Sequence, residues 1–203
     1  MKVDVITHYD LLIDEGNDPV CDPEPLQKYM DKWDGKPFMD ALSLDKSKSV
    51  LEIGVGTGRL AVKTAPLCKC FTGIDISPKT ISRAKHNLKA VKNTRLVCGD
   101  FLVCDFKEKF DLIYSSLTWL HIQNKQLAIE KVAELLKDNG QFVLSINKDA
   151  SDTIDYGKRQ IEIFPDNPDE IKSFFKLSGL SLIDTFETEF AYILIAENNK
   201  CTV

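Results

Sequence analysis

Three glycines spaced by two residues are the strongest chemical signal in this 203-residue chain. Gly54, Gly56 and Gly58 lie within residues 50–60 (VLEIGVGTGRL), where an apolar run meets the acidic Glu52 and then the glycines. Glycine lets the backbone turn tightly and lets a ligand approach the peptide groups closely. Because the turn follows an apolar strand, it lies at the strand's carboxyl end, where open α/β sheets bind ligands. The pattern therefore predicts a ligand site at this turn.

Two classes of cofactor use such a turn. In a nicotinamide-binding protein, residues 56–61 (GTGRLA) would match G-x-G-x-x-A, with the pyrophosphate at the helix N-terminus. This interpretation leaves Glu52 and Gly54 without a role, and 203 residues leave little room for a second catalytic domain. An interpretation that gives a role to Glu52 and to all three glycines is favoured. A nicotinamide oxidoreductase stays open as an alternative.

The glycine turn resembles motif I of the class I S-adenosylmethionine-dependent methyltransferases, and further segments resemble the family's later motifs in the same order. They are residues 71–77 (FTGIDIS) for the second strand, 98–101 (CGDF) for the end of the third, 110–116 (FDLIYSS) for the fourth, and 135–144 (LLKDNGQFVL) for the helix, turn and fifth strand. The resemblance covers about residues 48–147.

The resemblance implies which residues bind S-adenosylmethionine. Asp75 would accept hydrogen bonds from both ribose hydroxyls, as one carboxylate can, and Ile76 would pack on adenine. Asp100 would accept from the adenine amino group while Phe101 flanks the ring. Tyr9 stands where many relatives carry a tyrosine that folds over the methionine end, and an ordinary surface or core tyrosine is the alternative. The implied cofactor-binding residues are Tyr9, Glu52, Gly54, Gly56, Gly58, Asp75, Ile76, Asp100, Phe101 and Ser115.

The sequence identifies no certain catalytic residue. Methyl transfer from a sulfonium is an in-line displacement, so the protein mainly holds acceptor and methyl group at near-attack distance. A general base is needed only where the acceptor must lose a proton. His121, after the fourth strand, is the one candidate base, with a packing or hydrogen-bonding role as the alternative. Trp33, Trp119 and Tyr156 are candidates for the acceptor pocket or for ordinary core.

Motifs that are absent from the sequence exclude several classes of methyl acceptor. The chain has no Asn/Asp-Pro-Pro-Tyr after the fourth strand, no Pro-Cys nucleophile, and no acid set like that of the metal-dependent catechol O-methyltransferases, so no metal is expected. Its 26 Lys and Arg against 31 Asp and Glu argue against a general nucleic-acid binder. The prediction is methyl transfer to a small-molecule acceptor. A protein side-chain methyltransferase and a non-catalytic S-adenosylmethionine-binding protein are the alternatives.

Hydrophobic periodicity predicts the elements that position these residues. Short β-branched runs alternate with helical patterns from residue 50 onward, which indicates a mostly parallel sheet with crossover helices. The strands are predicted over Val50–Gly54, Cys70–Asp75, Thr94–Cys98, Phe110–Ser115, Gly140–Asn147, Ser181–Glu187 and Phe190–Glu197. The last two lie too close for a crossover and must form an antiparallel hairpin. With the family resemblance, we expect a Rossmann-like three-layer αβα sandwich with seven strands in the order 3-2-1-4-5-7-6.

The chain is expected to form a single domain over residues 1–203, with an N-terminal helical cap over 1–45 and a Rossmann-like core over 46–203. Eleven Asp and Glu against four Lys make the N-terminal cap acidic, which suits either a cationic acceptor or a plain solvated surface. The first residues lack the basic and apolar regions of a signal peptide, and no apolar run approaches the ~20 residues of a membrane span. A cytoplasmic protein without membrane partners is therefore expected.

Overall fold

The chain folds around a seven-stranded sheet, seen in a computed structural model that describes residues 1–199. The strands of the described residues are β1 (Lys2–Val3), β2 (Ser49–Ile53), β3 (Cys70–Asp75), β4 (Thr94–Cys98), β5 (Phe110–Ser115), β6 (Leu136–Asn147), β7 (Thr153–Asp155), β8 (Gln160–Glu162), β9 (Leu180–Glu187) and β10 (Ala191–Asn198). Three of them, β1, β7 and β8, form a separate small sheet. The sheet runs β4-β3-β2-β5-β6-β10-β9, with β10 antiparallel to both neighbours and the other pairs parallel. The predicted strand order and C-terminal hairpin are confirmed.

Helices cover both faces of this sheet. They are α1 (Val5–Asp14), α2 (Glu24–Met30), α3 (Gly35–Ala41), α4 (Ala61–Thr64), α5 (Pro78–Asn87), α6 (Lys125–Leu135) and α7 (Pro168–Leu177), with short 3₁₀ turns at Ala65–Leu67 and Trp119–His121. Along β5, Ile113 packs in the core shared with α6 and α7, whereas Leu112 and Tyr114 pack in the core shared with α3, α4 and α5. This alternation follows from the two-residue period of a strand, and it produces the three-layer sandwich.

The residue pairs Ser77-Pro78 and Asn167-Pro168 predict helix starts, and the capping bonds of α5 and α7 confirm them. At the start of α5, Ser77 precedes Pro78, and its hydroxyl accepts a hydrogen bond from the Thr80 amide. The Asn167 side chain accepts from the Asp169 amide at the start of α7. Both starts combine a capping side chain with proline at the first helical position, where its missing N–H costs no hydrogen bond. The first start lies directly after β3, and the second begins the helix that leads into the last hairpin.

The first forty-five residues contain more structure than the sequence predicts. Within the N-terminal helical cap the sequence predicts one helix around Leu26–Trp33 and another around Lys36–Leu44, and they are present as the shorter α2 and α3. α1 was not predicted; the Asp4 carboxylate caps it by accepting from the Thr7 amide. A second sheet was not predicted either, and in it β1 pairs parallel with β8 and β8 pairs antiparallel with β7. Residues 200–203 of the predicted core lie outside the described part of the chain.

Within residues 1–199, no helix is both long and apolar enough to cross a membrane.

Candidate functional site

A pocket of about 1020 Å³ opens at the carboxyl ends of β2, β3, β5 and β6. The glycine turn after β2, the end of β3 and the loop after β4 form part of its wall, and the loop after β5 forms another part. Residues of α1, α2 and the β7–β8 region cover it from outside the sheet. Its volume is at the upper end of the range for small-molecule sites, which suits a nucleoside cofactor together with an acceptor.

The glycine turn is held close to the neighbouring strand end. The amides of Gly54 and Val55 both donate to the carbonyl of Ile74, at 2.8 and 3.0 Å. Gly54 has a φ of +77°, and a Cβ at this position would collide with the side chain of Thr118. Gly56 has a φ of +57°, but no heavy atom lies within 4 Å of where its Cβ would be. Gly54 therefore permits packing against the β5 loop, whereas Gly56 leaves the pocket open.

Asp75 presents a fixed carboxylate at the end of β3. Its Oδ2 accepts from the Gly56 amide and its Oδ1 from the Ser77 amide, both at 3.0 Å. Burial raises the pKa of Asp75, and these two backbone N–H groups act against that rise. Each oxygen retains a lone pair, so the carboxylate can accept two more hydrogen bonds from a ligand in the pocket.

Glu52 lines the pocket but is a very different carboxyl group. It is only 3% exposed, and burial raises its pKa to about 8, so it is mostly protonated at neutral pH. The Tyr114 hydroxyl donates to Glu52 Oε2 at 2.8 Å and is itself 2.8 Å from the Thr64 hydroxyl. Glu52 therefore contributes a polar but mostly uncharged group to the pocket wall.

An ion pair that the sequence analysis did not find connects the N-terminal region to the glycine turn. The guanidinium of Arg59 pairs with the fully buried Asp34, with Nη1 donating to Oδ1 at 3.2 Å. Asp34 also accepts from the Ser116 hydroxyl and the Gly35 amide, each at 2.7 Å. Among the described residues, Arg59 is the one Lys or Arg that lines the pocket. No local pattern pairs Asp34 with Arg59, since the contact forms only when the N-terminal region docks.

Tyr9 and His121 meet at the covered end of the pocket. The Tyr9 hydroxyl lies 2.8 Å from His121 Nε2, and the two rings pack edge to face. Burial lowers the pKa of His121 to about 4, and it raises the pKa of Tyr9, so both side chains are uncharged at neutral pH. His121 Nδ1 is buried without a hydrogen-bond partner among residues 1–199. The sequence placed both residues near the reacting end, but it did not predict their contact.

A second contact missed from the sequence ties α1 to the strand pair β7–β8. Arg159 Nε donates to Nδ1 of the buried His8 at 3.0 Å. Its two terminal nitrogens donate to the Glu15 carboxylate at 2.6 and 2.7 Å. His8 also packs on the ring of Tyr156, a pocket residue, at 4.4 Å between centroids. These contacts fix the cover of the pocket.

The structure brings together most of the residues that the sequence analysis named. Those lining the pocket are Tyr9, Glu52, Gly54, Gly56, Asp75, Ile76, Asp100, Phe101 and His121. Gly58 and Ser115 do not line it: Gly58 faces Leu88, and the buried Ser115 hydroxyl donates to the Ile53 carbonyl at 2.9 Å.

Of the three aromatic residues considered for the acceptor pocket, two line the pocket and one lies in the core. Trp33 and Tyr156 line the pocket, whereas Trp119 is 1% exposed and packs against Phe142 in the core. Within the described residues, no three His, Cys, Asp or Glu side chains cluster as metal ligands would.

The central part of the chain matches a known domain family. Residues 50–140 match the family model described as a methyltransferase domain. The chain is 32% identical over 145 residues to malonyl-[acyl-carrier protein] O-methyltransferase of Priestia megaterium. The matched stretch covers 66% of this chain and 51% of that protein. The chain thus spans about half the length of this relative.

Similarity to solved structures extends over nearly the whole chain. The N-methyltransferase NodS of Bradyrhizobium japonicum in complex with S-adenosylhomocysteine superposes with a TM-score of 0.72 at 21% identity, covering 95% of this chain and 98% of that one. Magnesium protoporphyrin IX methyltransferase of Synechocystis with bound S-adenosylmethionine gives a TM-score of 0.73 at 17% identity, with 95% and 94% covered. At these identities the superpositions establish the fold.

Proposed function

Because this chain belongs to the class I S-adenosylmethionine-dependent methyltransferases, we propose that it transfers a methyl group from S-adenosylmethionine to a small-molecule acceptor. The observation that carries this proposal is the Asp75 carboxylate, which the amides of Gly56 and Ser77 hold at the wall of a pocket large enough for both molecules.

The pocket residues fit the proposed cofactor. The two free acceptor positions of Asp75 suit the neighbouring hydroxyls of a ribose, and the open space beside Gly56 leaves room for the nucleoside. Ile76 and Phe101 would contact the adenine ring, with Asp100 accepting from its amino group. The Asp100 side chain already accepts from the Leu102 amide at 2.8 Å, which holds it at the end of β4.

The transfer itself requires positioning more than acid–base chemistry. Bound S-adenosylmethionine supplies a methyl group already activated by a positively charged sulfur. The loop after β5, with the strained Leu117 at a φ of +57°, would hold the acceptor in line with that methyl group. The uncharged pair Tyr9 and His121 would close the reacting end of the pocket. With a pKa of about 4, His121 would be a weak proton acceptor, so an acceptor that must lose a proton would lose it to water before the transfer.

The relatives support a small-molecule acceptor, but they do not agree on its chemistry. The names of the three proteins compared above point to a malonyl group on a carrier protein, to an N-methylation and to magnesium protoporphyrin IX. The fold therefore serves several acceptors, and the acceptor of this chain must be inferred from its own pocket. A cytoplasmic location and the absence of nucleic-acid and membrane partners stay predictions from the sequence.

Calorimetry with S-adenosylhomocysteine tests the proposal. We expect micromolar binding by the wild type. In Asp75→Ala the affinity should fall at least about a hundredfold, because the two ribose hydroxyls lose their hydrogen bonds to the carboxylate that the Gly56 and Ser77 amides hold in place. The control variant is Asp138→Ala. Asp138 is exposed and lies at the end of β6 opposite to the pocket, so this variant should bind S-adenosylhomocysteine as the wild type does. Unchanged affinity in a folded Asp75→Ala variant would refute the site, and saturable binding of NADH instead would favour the oxidoreductase alternative.

A further inference from the structure

The order of the strands divides the pocket into two sides. β3 and β4 lie on one side of β2, and Asp75 and Asp100 at their ends are the proposed adenosine contacts. β5 and β6 lie on the other side, where the chain continues into Asn147 and Asp149. Given the proposed function, the acceptor must then bind on the β5–β6 side, in the space that α2 and the residues after β6 enclose.

Two aromatic rings on the acceptor side are held in place by their own contacts. The indole nitrogen of Trp33 donates to Asn147 Oδ1 at 3.3 Å, across the pocket wall. The ring of Tyr29 packs edge to face on Trp33, with 5.5 Å between centroids. Both side chains line the pocket. Rings fixed in this way offer a surface to a flat apolar group, and their faces attract a cation.

The positive side chains around this side are already neutralised by partners. Apart from the exposed Lys158, whose amide donates to the Tyr156 carbonyl, each Lys or Arg that lines, adjoins or contacts a pocket residue here forms an ion pair with a carboxylate. The pairs are Lys28 with Glu24, Lys32 with Glu189, Arg59 with Asp34, Lys125 with Asp166, Lys148 with Glu187, and Arg159 with Glu15. An acidic acceptor would therefore have to break one of these pairs, or reach out to the exposed Lys158, to find a countercharge.

Two pocket carboxylates next to α2 and β6 have no such partner: Asp22 lies two residues before α2, and Asp149 lies two residues after β6. Asp22 and Asp149 line the pocket, and neither has a Lys or Arg nitrogen within 4.0 Å among the described residues. Hydrogen bonds from the Ser151 hydroxyl and amide lower the pKa of Asp149, so it is charged at neutral pH. The acceptor side therefore combines fixed aromatic rings with unpaired negative charge.

We infer that the acceptor is a basic amine with a flat apolar body, which binds as its ammonium ion between Trp33, Tyr29 and the two free carboxylates, and is methylated on nitrogen. The ammonium group first gives a proton to water. The lone pair of the neutral amine then forms the bond to the methyl carbon, while the electron pair of the breaking carbon–sulfur bond stays on sulfur. The products are a methylated ammonium ion and neutral S-adenosylhomocysteine, so charge and atoms balance without a metal or an oxidant.

Matched probes that differ only in their end group test this inference. Tryptamine, tryptophol and indole-3-propionate share one ring and chain but end in an ammonium, a hydroxyl and a carboxylate. Phenethylamine and hexylamine, each with its alcohol and its acid, repeat the series on other bodies. Calorimetry on the protein saturated with S-adenosylhomocysteine should give the tightest binding to the amine in the indole or the phenyl series, whose bodies are flat, and weaker binding in the flexible hexyl series. We expect about a tenfold preference over the alcohol, and no detectable binding of the acid.

Variants assign the preference to the two carboxylates. Asp22→Asn and Asp149→Asn should each weaken binding of the best amine about three- to tenfold, without changing the affinity for its alcohol. The control Asp138→Asn should leave all affinities unchanged. Absence of binding by every amine, an acid that binds as well as its amine, or an amine affinity that neither pocket variant changes would each overturn the inference. Failure of S-adenosylhomocysteine itself to bind would instead contradict the proposed function.

Discussion

The buried carboxyl group of Glu52 makes the stability of this protein depend on pH. Its pKa of about 8 in the folded chain exceeds the 4.5 of an ordinary glutamate, because burial penalises the charged form. The folded state therefore binds the proton more tightly than the unfolded state does. The stability that this proton contributes is complete below pH 4.5, and it is lost as the pH rises from there through 8.

Replacing Glu52 with glutamine removes this loss. Glu52→Gln keeps an acceptor for the Tyr114 hydroxyl but has no proton to lose. The difference in free energy of unfolding between variant and wild type should therefore move in favour of the variant by about 3 kcal/mol from pH 4 to pH 7. Urea unfolding at both pH values measures it. The exposed Glu134→Gln should show no such trend, and a constant difference for Glu52→Gln would mean that the buried carboxyl group ionises freely.

At the scale of elements, the turn between β2 and α4 contains three glycines with positive φ, and two of them, Gly54 and Gly56, need glycine for different reasons. Gly54→Ala combines backbone strain with a collision against Thr118, so we expect it to destabilise the fold by more than about 3 kcal/mol. Gly56→Ala meets open space, so we expect only the strain, about 1 kcal/mol. Its methyl group would instead project into the open pocket and weaken binding of S-adenosylhomocysteine.

Thermal unfolding and calorimetry on the two variants separate these effects. Gly54→Ala should lose stability first, and Gly56→Ala should lose affinity while staying folded. Equal losses of stability in both would show that the close approach of Thr118 is not what requires glycine at position 54.

Which elements the sequence could predict depends on how local their causes are. The strands of the large sheet and the starts of α5 and α7 follow from alternation and from caps such as Ser77, which act within a few residues. β1 has two residues and pairs with β8 from the other end of the chain, so no local pattern marks it. The pocket residues divide similarly. Asp75 and Gly56 stand in one recognisable turn and strand end, whereas the ion pair of Arg59 with Asp34 exists only after docking.

Considered as a whole, the molecule closes its pocket with segments from both ends of the chain. α1 contributes Tyr9, and the region around β7 and β8 contributes Tyr156, while Arg159 joins the two through Glu15 and His8. α1 also rests on the start of α5, where Asp10 accepts from the Ser77 hydroxyl at 2.6 Å. A ligand in the pocket therefore touches the sheet and its cover at once, so binding should stabilise elements that are far apart in sequence.

Amide hydrogen exchange measures this coupling directly. Saturating S-adenosylhomocysteine should slow exchange in α1 and in residues 153–162, and it should leave α7 and β9 unchanged, because the latter pack away from the pocket. In Arg159→Met, which breaks the contacts with Glu15 and His8, protection should persist in α1 but disappear from residues 153–162. Protection confined to the glycine turn in the wild type would show that the cover moves independently of the bound ligand. Protection of both segments in the variant would mean that β1, through its pairing with β8, transmits the coupling instead.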